Sequence, residues 1–334
     1  MEKEPPLQKV TALIDGVYPA FAMLAGLQLD LFTPLSQRPF SPQQLAQHLQ
    51  VDEPRLSRLL FALTQAGLLT WDGVWFTATE ETAVYLNRQH PRYMIGLADF
   101  FSFTWQEVAP HTAATIRNGE PQARREFADM PLAELDRFMH ILHPGALAAG
   151  RLLADQHDFS RYNTLLDIGG GSGGLALALV ERFPHLQTAV LDLPHVTAIS
   201  QQFIQDAPIQ LIAADFLHDD ISGSYDAIIM KAFTQTLGET AVVLALQKAF
   251  ALLNPGGDLY IQAAILDDGR TTPAWTVQFD LVLLNMYENG RAYTESEYRQ
   301  WLTVAGFAHI ERPDPSLIIA RKLSGDSFNF RASL

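Results

Sequence analysis

Cysteine is absent from this 334-residue chain, and basic side chains are scarce: 23 lysines and arginines stand against 37 aspartates and glutamates, for a net charge of −14. Without cysteine the chain has neither a disulfide framework nor a thiolate metal site, as is typical of the reducing cytoplasm. The acidic balance disfavours nucleic acids, because their phosphates are repelled. No apolar run approaches the roughly 18 residues of a membrane span, so we expect none. The opening Met-Glu-Lys-Glu-Pro-Pro does not resemble a signal peptide, and we expect a cytoplasmic protein.

The chain is long enough for two domains, and its 48% of hydrophobic residues can fill a large core. In the N-terminal part, Ser41-Pro-Gln-Gln44 predicts a helix start with a capping box. A second helix over Glu53–Ala66 and a hairpin around Asp72–Gly73 follow, and together these elements indicate a winged helix. The second helix carries only Arg55 and Arg58 as basic residues, so we do not expect it to read DNA.

The most informative segment is residues 165–174, which read Leu-Leu-Asp-Ile-Gly-Gly-Gly-Ser-Gly-Gly. They predict a buried strand, a glycine-rich turn and the start of a helix, an arrangement that binds the polar end of a nucleotide-like cofactor. Gly169, Gly171 and Gly174 also fit the spacing G-x-G-x-x-G of dinucleotide sites. The glycines alone therefore leave both S-adenosylmethionine and NAD open.

Acidic residues after three successive predicted strands favour S-adenosylmethionine. Asp167, at the junction of strand and loop, is placed to hold the amino group of a methionine moiety. Asp192 ends the next strand, where it can accept hydrogen bonds from a ribose. The pair Asp215-Phe216 follows the third strand and suits the edge and the face of an adenine.

In order and spacing, these motifs resemble the plant-type small-molecule O-methyltransferase family. The resemblance spans residues from about 10 to about 322, and we identify the chain as a member. The matching segments are Leu165–Val196, Asp215-Phe216, Tyr225–Lys231, Leu253–Gly257, Asn289–Thr294 and Ala305–Phe307.

The resemblance implies an α/β fold: a Rossmann-like class I methyltransferase domain with a mainly parallel sheet and an antiparallel edge, preceded by a mainly α winged-helix dimerisation domain. The alternation of strands and helices from residue 165 onward predicts such a sheet independently. We expect the dimerisation domain over residues 1–110 and linking helices that border the substrate pocket over 111–160. The S-adenosylmethionine-binding domain is then residues 161–334.

The family further implies a set of residues that hold S-adenosylmethionine, and a homodimer formed through the N-terminal domain. In such a dimer a helix within Val10–Phe32 is swapped, and Tyr18 is the residue expected to enter the partner's active site. The expected cofactor residues are Asp167, Gly169, Gly171, Asp192, Leu193, Asp215, Phe216 and Lys231.

A cluster of aromatic residues between positions 92 and 118 predicts a flat apolar pocket for an aromatic or conjugated small molecule, with some of the rings in the core instead. The candidate substrate contacts are Phe101, Trp105, Met139 and Asn285. No metal site is expected.

At the catalytic set the sequence departs from the family. O-methylating members carry a histidine four residues after the lysine that Lys231 matches, and this histidine takes the proton of the substrate hydroxyl; here the position holds Gln235. The two acidic partners of that histidine fall at Ala263 and Ala292. An amide cannot act as a base, and a positioned base contributes about 10²–10⁴-fold to the rate.

Two histidines near the end of the linking segment offer a substitute. His140 and His143 are three residues apart and share one helix face. They are either a structural pair, or at least one of them acts in catalysis beside Gln235 and Tyr18. A metal role is disfavoured, because no carboxylate joins them at ligand spacing.

Three functions follow from this departure. The favoured one is methyl transfer to a carbon, a nitrogen or an acidic oxygen of a natural product or pigment, driven by positioning rather than by a base. The second is a non-methylating enzyme, pericyclase-like or hydroxylase-like, in which bound S-adenosylmethionine serves as a fixed positive charge. The third is a dimeric interaction protein without catalysis.

Overall fold

The computed structural model describes residues 7–94, 96–125 and 127–324. Within it the chain forms two compact units, Met1–Ser102 and Phe103–Leu334. Residues 111–160, expected as linking helices, fall inside the second unit. The boundaries predicted at 110 and 160 stay predictions.

The first unit is mainly helical, with one short hairpin. Its helices are α1 (Gln8–Asp15), α2 (Val17–Gln28), α3 (Phe32–Gln37), α4 (Pro42–Leu49), α5 (Glu53–Gln65), α6 (Glu80–Tyr85) and α7 (Leu97–Phe103), whose last residue belongs to the second unit; its strands are β1 (Leu69–Trp71) and β2 (Phe76–Ala78).

The predicted winged helix is confirmed in α4, α5 and the antiparallel β1–β2 hairpin. The capping box forms as expected: the Ser41 hydroxyl accepts from the Gln44 N–H at 3.3 Å, and the Gln44 side chain accepts from the Ser41 N–H at 3.4 Å. In the hairpin turn, Asp72 accepts from the N–H groups of Val74 and Trp75. These local bonds explain why the sequence alone located the elements.

We expect no membrane span from the sequence, but residues 8–28, which comprise α1 and α2, are a candidate for one. By length and composition this segment could cross a membrane, with a mean hydropathy of 1.6 and only 17% of it buried. Leu13 is 80% exposed and Tyr18 57%. A helix that packs against a second protein copy satisfies the same criteria, so composition does not decide between the two.

The second unit is a sheet flanked by helices. Its helices are α8 (Thr112–Asn118), α9 (Leu132–Gln156), α10 (Gly174–Arg182), α11 (Pro194–Ile204), α12 (Glu239–Leu252), α13 (Ala274–Met286) and α14 (Glu295–Ala305). Its strands are β3 (Thr164–Ile168), β4 (Gln187–Asp192), β5 (Ile209–Ala213), β6 (Tyr225–Lys231), β7 (Leu253–Gln262), β8 (Ile265–Leu266), β9 (Tyr293–Thr294), β10 (Ala308–Asp314) and β11 (Leu317–Arg321).

Seven of these strands form the main sheet, in the order β10-β11-β7-β6-β3-β4-β5. The five strands from β7 to β5 are parallel, while β11 runs antiparallel to β7 and to β10, which confirms the predicted fold class and its antiparallel edge. The chain leaves β3 toward β4 and later returns to place β6 on its other side. In open α/β sheets, a ligand crevice opens at the carboxyl ends of strands at such a switch point.

Side chains of the central strands alternate between two apolar layers. Leu166, Ile168 and Ile228 pack in one layer, which also includes residues of α12 and α14. Leu165 and Ile229 pack in the other, with residues of α9 and α10. Asp167 shares the second face, at the carboxyl end of β3.

Candidate functional site

The glycine loop after β3 is a tight turn that excludes side chains. Gly169, Gly171 and Gly173 have φ angles of 67°, 55° and 74°, in the left-handed region that glycine adopts without strain. The Gly169 N–H donates to the Leu191 carbonyl at 2.8 Å. A Cβ atom on Gly169 would lie 2.5 Å from the Phe233 ring. Glycine at these positions therefore lets the backbone make close contacts that a side chain would block.

Asp192 fastens this loop to the end of β4. One of its carboxylate oxygens accepts from the Gly171 N–H and the other from the Leu193 N–H, each at 2.8 Å. Burial raises the pKa of Asp192. Each carboxylate oxygen can still accept a further hydrogen bond, so the geometry leaves room for the predicted ribose contact, which stays a prediction.

Asp167 is a buried carboxylate whose bonding capacity is unused. It is 1% exposed, and within the described part of the chain neither of its oxygens has a hydrogen-bond partner. Burial raises its pKa to about 7, an effect that the charge of Lys231 opposes and that of Asp192 reinforces. Because buried polar atoms in proteins are almost always paired, an unpaired carboxylate beside a glycine loop fits a cationic ligand group. The amino group of S-adenosylmethionine has that chemistry.

Two further polar residues lie on the same face of the sheet, at the ends of the next strands. Lys231 pairs in register with Gln262, and it is two residues beyond Ile229, the register partner of Asp167. Burial lowers the pKa of Lys231, against the effect of Asp167. The Oε1 atom of Gln262 is buried and has no partner among the described residues. Sequence reasoning missed Gln262, although a polar residue at the end of an apolar central strand was a usable signal.

The pair Asp215-Phe216 has a different local environment from the one predicted. Asp215 accepts from the Leu217 N–H at 2.9 Å and contacts His218 at 2.9 Å, so it organises its own turn. Phe216 is 3% exposed and packs in the core, edge-on to Phe233 at 6.1 Å. The ring next to the glycine loop is therefore Phe233, and Phe216 packs edge-on to it; the contacts of Asp215 and Phe216 with an adenine stay a prediction.

The two candidate histidines on α9 have unlike surroundings. His143 contacts the Ser172 hydroxyl of the glycine loop at 2.8 Å and stacks on Phe203 at 4.5 Å. Burial lowers the pKa of His143, and so does nearby His140. His140 is exposed and contacts the Asp136 carbonyl oxygen. These contacts give His143 a part in shaping the loop, and a catalytic role for either histidine stays a prediction.

Beside the loop lies an apolar wall, which we define as Phe103, Val108, Phe138, Met139, Val282 and Met286. Met139, a predicted substrate contact, is 4% exposed, and its sulfur would lie 3.4 Å from a Cβ atom on Gly171. Leu193, a predicted cofactor residue, packs against this cluster. The wall and the glycine loop are thus contiguous.

Gln235 lies in the short 3-10 turn Thr234–Thr236, just beyond β6. It is 7% exposed, and its Oε1 accepts from the Ala264 N–H at 2.8 Å. The Thr234 hydroxyl contacts the Tyr298 hydroxyl at 2.7 Å, which ties the turn to α14. The residue at the position of the expected base is therefore held by the second unit's own framework.

Asn285 joins two helices, and its predicted role as a substrate-orienting amide stays a prediction. It is 0% exposed: its oxygen accepts from the Thr115 hydroxyl at 2.7 Å, and its nitrogen donates to Thr112 at 3.0 Å and to the Leu281 carbonyl at 2.7 Å. Both N–H donors of the amide and one lone pair of its oxygen are therefore used within the second unit. Asp280, expected as a surface charge, is half-buried.

The remaining predicted site residues are Tyr18, Phe101 and Trp105. Tyr18 lies exposed on α2, edge-on to Phe21. Phe101 lies on α7 of the first unit and Trp105 in a π-helical turn, Thr104–Val108, of the second; both are half-buried. Their ligand contacts stay predictions. Among the residues that the structure describes, no group of three histidines or carboxylates could hold a metal ion.

Family models match both parts of the chain. One, described as an O-methyltransferase domain, matches residues 133–308; another, described as an O-methyltransferase dimerisation domain, matches residues 11–88.

Individual relatives match along nearly the whole chain. It is 28% identical over 318 residues to 3-hydroxy-5-methyl-1-naphthoate 3-O-methyltransferase of Streptomyces sahachiroi, covering 90% of this chain and 89% of that protein. It is 27% identical over 330 residues to the tetracenomycin polyketide synthesis 8-O-methyltransferase of Streptomyces glaucescens, covering 94% and 96%. The fold is similar to that of human N-acetylserotonin methyltransferase in complex with SAM, with a TM-score of 0.80, 21% identity and coverage of 96% and 99%.

Proposed function

The chain belongs to the plant-type O-methyltransferase family, and on that premise we propose that it methylates a flat, conjugated small molecule, with S-adenosylmethionine as donor and without a histidine base. The observation that carries the proposal is the contrast between an unpaired Asp167 beside an intact glycine loop and a glutamine at the position of the base. The cofactor side of the site has a carboxylate available to a ligand, while the position of the family's usual base holds an amide, which cannot act as a base.

S-adenosylmethionine supplies a methyl group on an electrophilic sulfonium. Asp167 would accept hydrogen bonds from its amino group, and Asp192 from its ribose, while Gly169 and Gly171 leave room for its close approach. Lys231 lies at the neighbouring strand end and balances the charge of Asp167. We also assign Phe233, the ring against Gly169, to this site.

The acceptor must be a group that needs no deprotonation in the site. A phenol with a pKa near 10 is ionised in only about one molecule per thousand at neutral pH, so an ordinary phenol is a poor substrate without a base. Positioning alone can supply about 7–11 kcal/mol, enough for an acidic oxygen, a nitrogen or an electron-rich carbon. The apolar wall suits a flat ring system, and the naphthoate and tetracenomycin relatives support such a substrate.

We further propose that the protein is a homodimer formed through its first unit, with Tyr18 reaching the partner's site. The exposed apolar surface of residues 8–28 and the match to a dimerisation domain support the dimer. The role of Tyr18 follows from the family resemblance. Light scattering of wild type and of the double variant Leu13→Glu/Tyr18→Glu tests the interface. We expect wild type to be a dimer and the variant to be a monomer. A monomeric wild type would contradict the proposed dimer. A cytoplasmic location also stays a prediction.

Calorimetric titration with S-adenosylmethionine and S-adenosylhomocysteine is the first test. We expect micromolar binding of both, followed by release of S-adenosylhomocysteine with acidic phenols and enols. Product that requires S-adenosylmethionine without consuming it would favour the non-methylating alternative. Absence of binding would remove every cofactor-dependent function and leave a dimeric interaction protein.

A further inference from the structure

The side-chain amide of Gln235 has only one possible orientation. Its Oε1 accepts from the backbone N–H of Ala264 at 2.8 Å, and a backbone N–H can only donate. If the amide were flipped, two donors would face each other. The Nε2 group must therefore point away from Ala264.

That Nε2 group is an unused donor with access to open space. Within the described residues it has no hydrogen-bond partner, and it is not among the side-chain atoms that are fully buried and unpaired. Gln235 as a whole is nevertheless only 7% exposed, so the donor reaches solvent through a small opening. A donor fixed in a mostly buried turn costs little reorganisation when it meets an acceptor.

The turn that carries Gln235 adjoins the cofactor loop. Phe233, two residues earlier, would lie 2.5 Å from a Cβ atom on Gly169. Thr234, between them, is 0% exposed and bonded to Tyr298. The donor is thus held at the carboxyl end of β6, next to the strand that leads into the glycine loop.

Alanine stands at the two positions where the family resemblance implies acidic residues beside the base, and Asp280 is hydrogen-bonded to one of these alanines. Ala263 and Ala292, which stand where the family has acids, are 7% and 1% exposed. The carboxylate of Asp280 accepts from the Ala292 N–H at 2.6 Å. Gln235 thus offers a ligand a hydrogen-bond donor, which binds a carbonyl or an anionic oxygen but cannot take the proton of a neutral hydroxyl.

We propose that Gln235 is a specificity-determining residue whose Nε2 donates to the anionic oxygen of a conjugated acidic enol, the oxygen that accepts the methyl group. This rests on the proposed function. The enolate oxygen forms a bond to the methyl carbon while the carbon–sulfur bond breaks and its electron pair stays on sulfur. The negative enolate and the positive sulfonium neutralise each other, so no proton has to leave the substrate and no base is needed.

The test is ligand binding in the presence of saturating S-adenosylhomocysteine, so that no turnover is required. The probes are 4-hydroxycoumarin, a flat enol that is ionised at neutral pH, and 2-naphthol, a flat phenol of similar size that is not. We expect wild type to bind 4-hydroxycoumarin more tightly than 2-naphthol by about tenfold or more, as a hydrogen bond to a charged group predicts.

Gln235→Glu separates the donor from the framework. A carboxylate still accepts from the Ala264 N–H but cannot donate, so we expect affinity for 4-hydroxycoumarin to fall by about tenfold or more, while affinity for S-adenosylhomocysteine and 2-naphthol is retained. Gln235→Met, which removes the donor without adding charge, should lower 4-hydroxycoumarin affinity by less. Unchanged enolate binding in both variants would overturn the proposal.

Two other outcomes separate this proposal from the proposed function. If wild type binds S-adenosylhomocysteine but neither probe, the enolate class is wrong and the methyltransferase assignment stands. If S-adenosylhomocysteine itself does not bind, the proposed function fails first. Retained S-adenosylhomocysteine affinity in both variants serves as the check that they fold.

Discussion

Two buried aspartates lie at opposite ends of the same sheet, and their surroundings differ completely. Asp167, at the carboxyl end of β3, has no hydrogen-bond partner within the described chain. Asp258, which pairs in β7 with Ala227 near the start of β6, is bonded to Arg161 at 2.6 Å, to Tyr162 at 2.6 Å and to Arg321 at 2.8 Å. Both carboxylates are excluded from water, yet only Asp258 is hydrogen-bonded by the protein's own groups.

The difference separates a carboxylate that holds the fold together from one reserved for a ligand. Asp258 pairs in register with Arg321 and so fastens β11 to β7. A polar cavity of about 270 Å³ adjoins it, lined by Arg161, Tyr162, Asn163, Asp226, Pro255, Gly256, Gly257, Asp258 and Arg321. Its two arginines both form ion pairs with Asp258, whereas Asp167 has no hydrogen-bond partner among the described residues and lies at the end of the sheet where α/β ligands bind.

The largest expected effect is on stability, at Asp258. Replacing it in Asp258→Ala leaves Arg161 and Arg321 without their carboxylate, and we expect the free energy of unfolding to fall by about 3 kcal/mol. Urea unfolding measures this loss. At a temperature where the variant is folded, its affinity for S-adenosylhomocysteine should equal that of wild type. A fall in this affinity would contradict a purely structural role of Asp258.

The matched change, Asp167→Asn, should act on binding instead. Loss of a charge-assisted hydrogen bond predicts a fall in S-adenosylmethionine affinity of about 10–100-fold, measured by calorimetry. The free energy of unfolding should change little, because no hydrogen bond of the folded protein is lost. A loss of stability comparable to that of Asp258→Ala would show that Asp167 is structural after all.

The pH dependence of stability sharpens the same contrast. The pKa of Asp167 is about 7 in the folded protein against 3.8 for an ordinary aspartate, so between these values the folded state binds more protons than the unfolded state. Its contribution to stability is complete below about pH 4 and is lost as pH rises through 7. Wild type should therefore lose stability relative to Asp167→Asn between pH 5 and pH 8, measured by urea unfolding at about one-unit steps; parallel curves would be inconsistent with this assignment.

Asn285→Ala tests whether the buried amide of Asn285 stabilises the fold, as Asp258 does, or is available to a ligand, as Asp167 is. Its three hydrogen bonds join α13 to α8 and to its own helix, so we expect a stability loss of about 1–2 kcal/mol and little change in substrate affinity. Thermal unfolding and a 4-hydroxycoumarin titration measure the two quantities. A selective loss of ligand affinity would return Asn285 to the substrate site.

The smallest effect is expected at His143. Burial lowers its pKa in the folded state, so below about 6.5 the unfolded state takes up more protons and wild type loses stability as pH falls. His143→Gln should lack this loss, with a difference below about 1 kcal/mol because partial exposure screens the charge. Unfolding at pH 7.5 and 5.5 in both proteins gives the comparison, and an equal decline in both would assign the pH dependence to other groups.

Features that depend on neighbours in sequence were predictable. The capping box at Ser41, the hairpin turn at Asp72 and the positive φ angles of the glycine loop are all local, and the strand–helix alternation led to the observed sheet. The family motifs located Asp167 and Asp192 at the carboxyl ends of adjacent strands.

What the sequence could not reveal is how distant groups satisfy one another. Asn285 resembles a ligand-facing amide until it is seen bonded to Thr115, 170 residues earlier. Phe216 and Phe233 are equivalent aromatic residues in sequence, and only the packing of β6 against β3 puts the second against the loop. Whether a polar group is used by the framework or left for a ligand depends on such long-range pairings.

The contact between Phe233 and Gly169 has a consequence for how this protein can change over evolutionary time. One ring braces the cofactor loop and begins the turn that carries Gln235. A mutation at position 233 that reshapes the acceptor pocket also disturbs the glycine loop. Substitutions at this position therefore cannot change acceptor specificity without also affecting cofactor binding. New acceptors are more accessible through Gln235, whose side chain is bonded to the Ala264 backbone and not to the glycine loop.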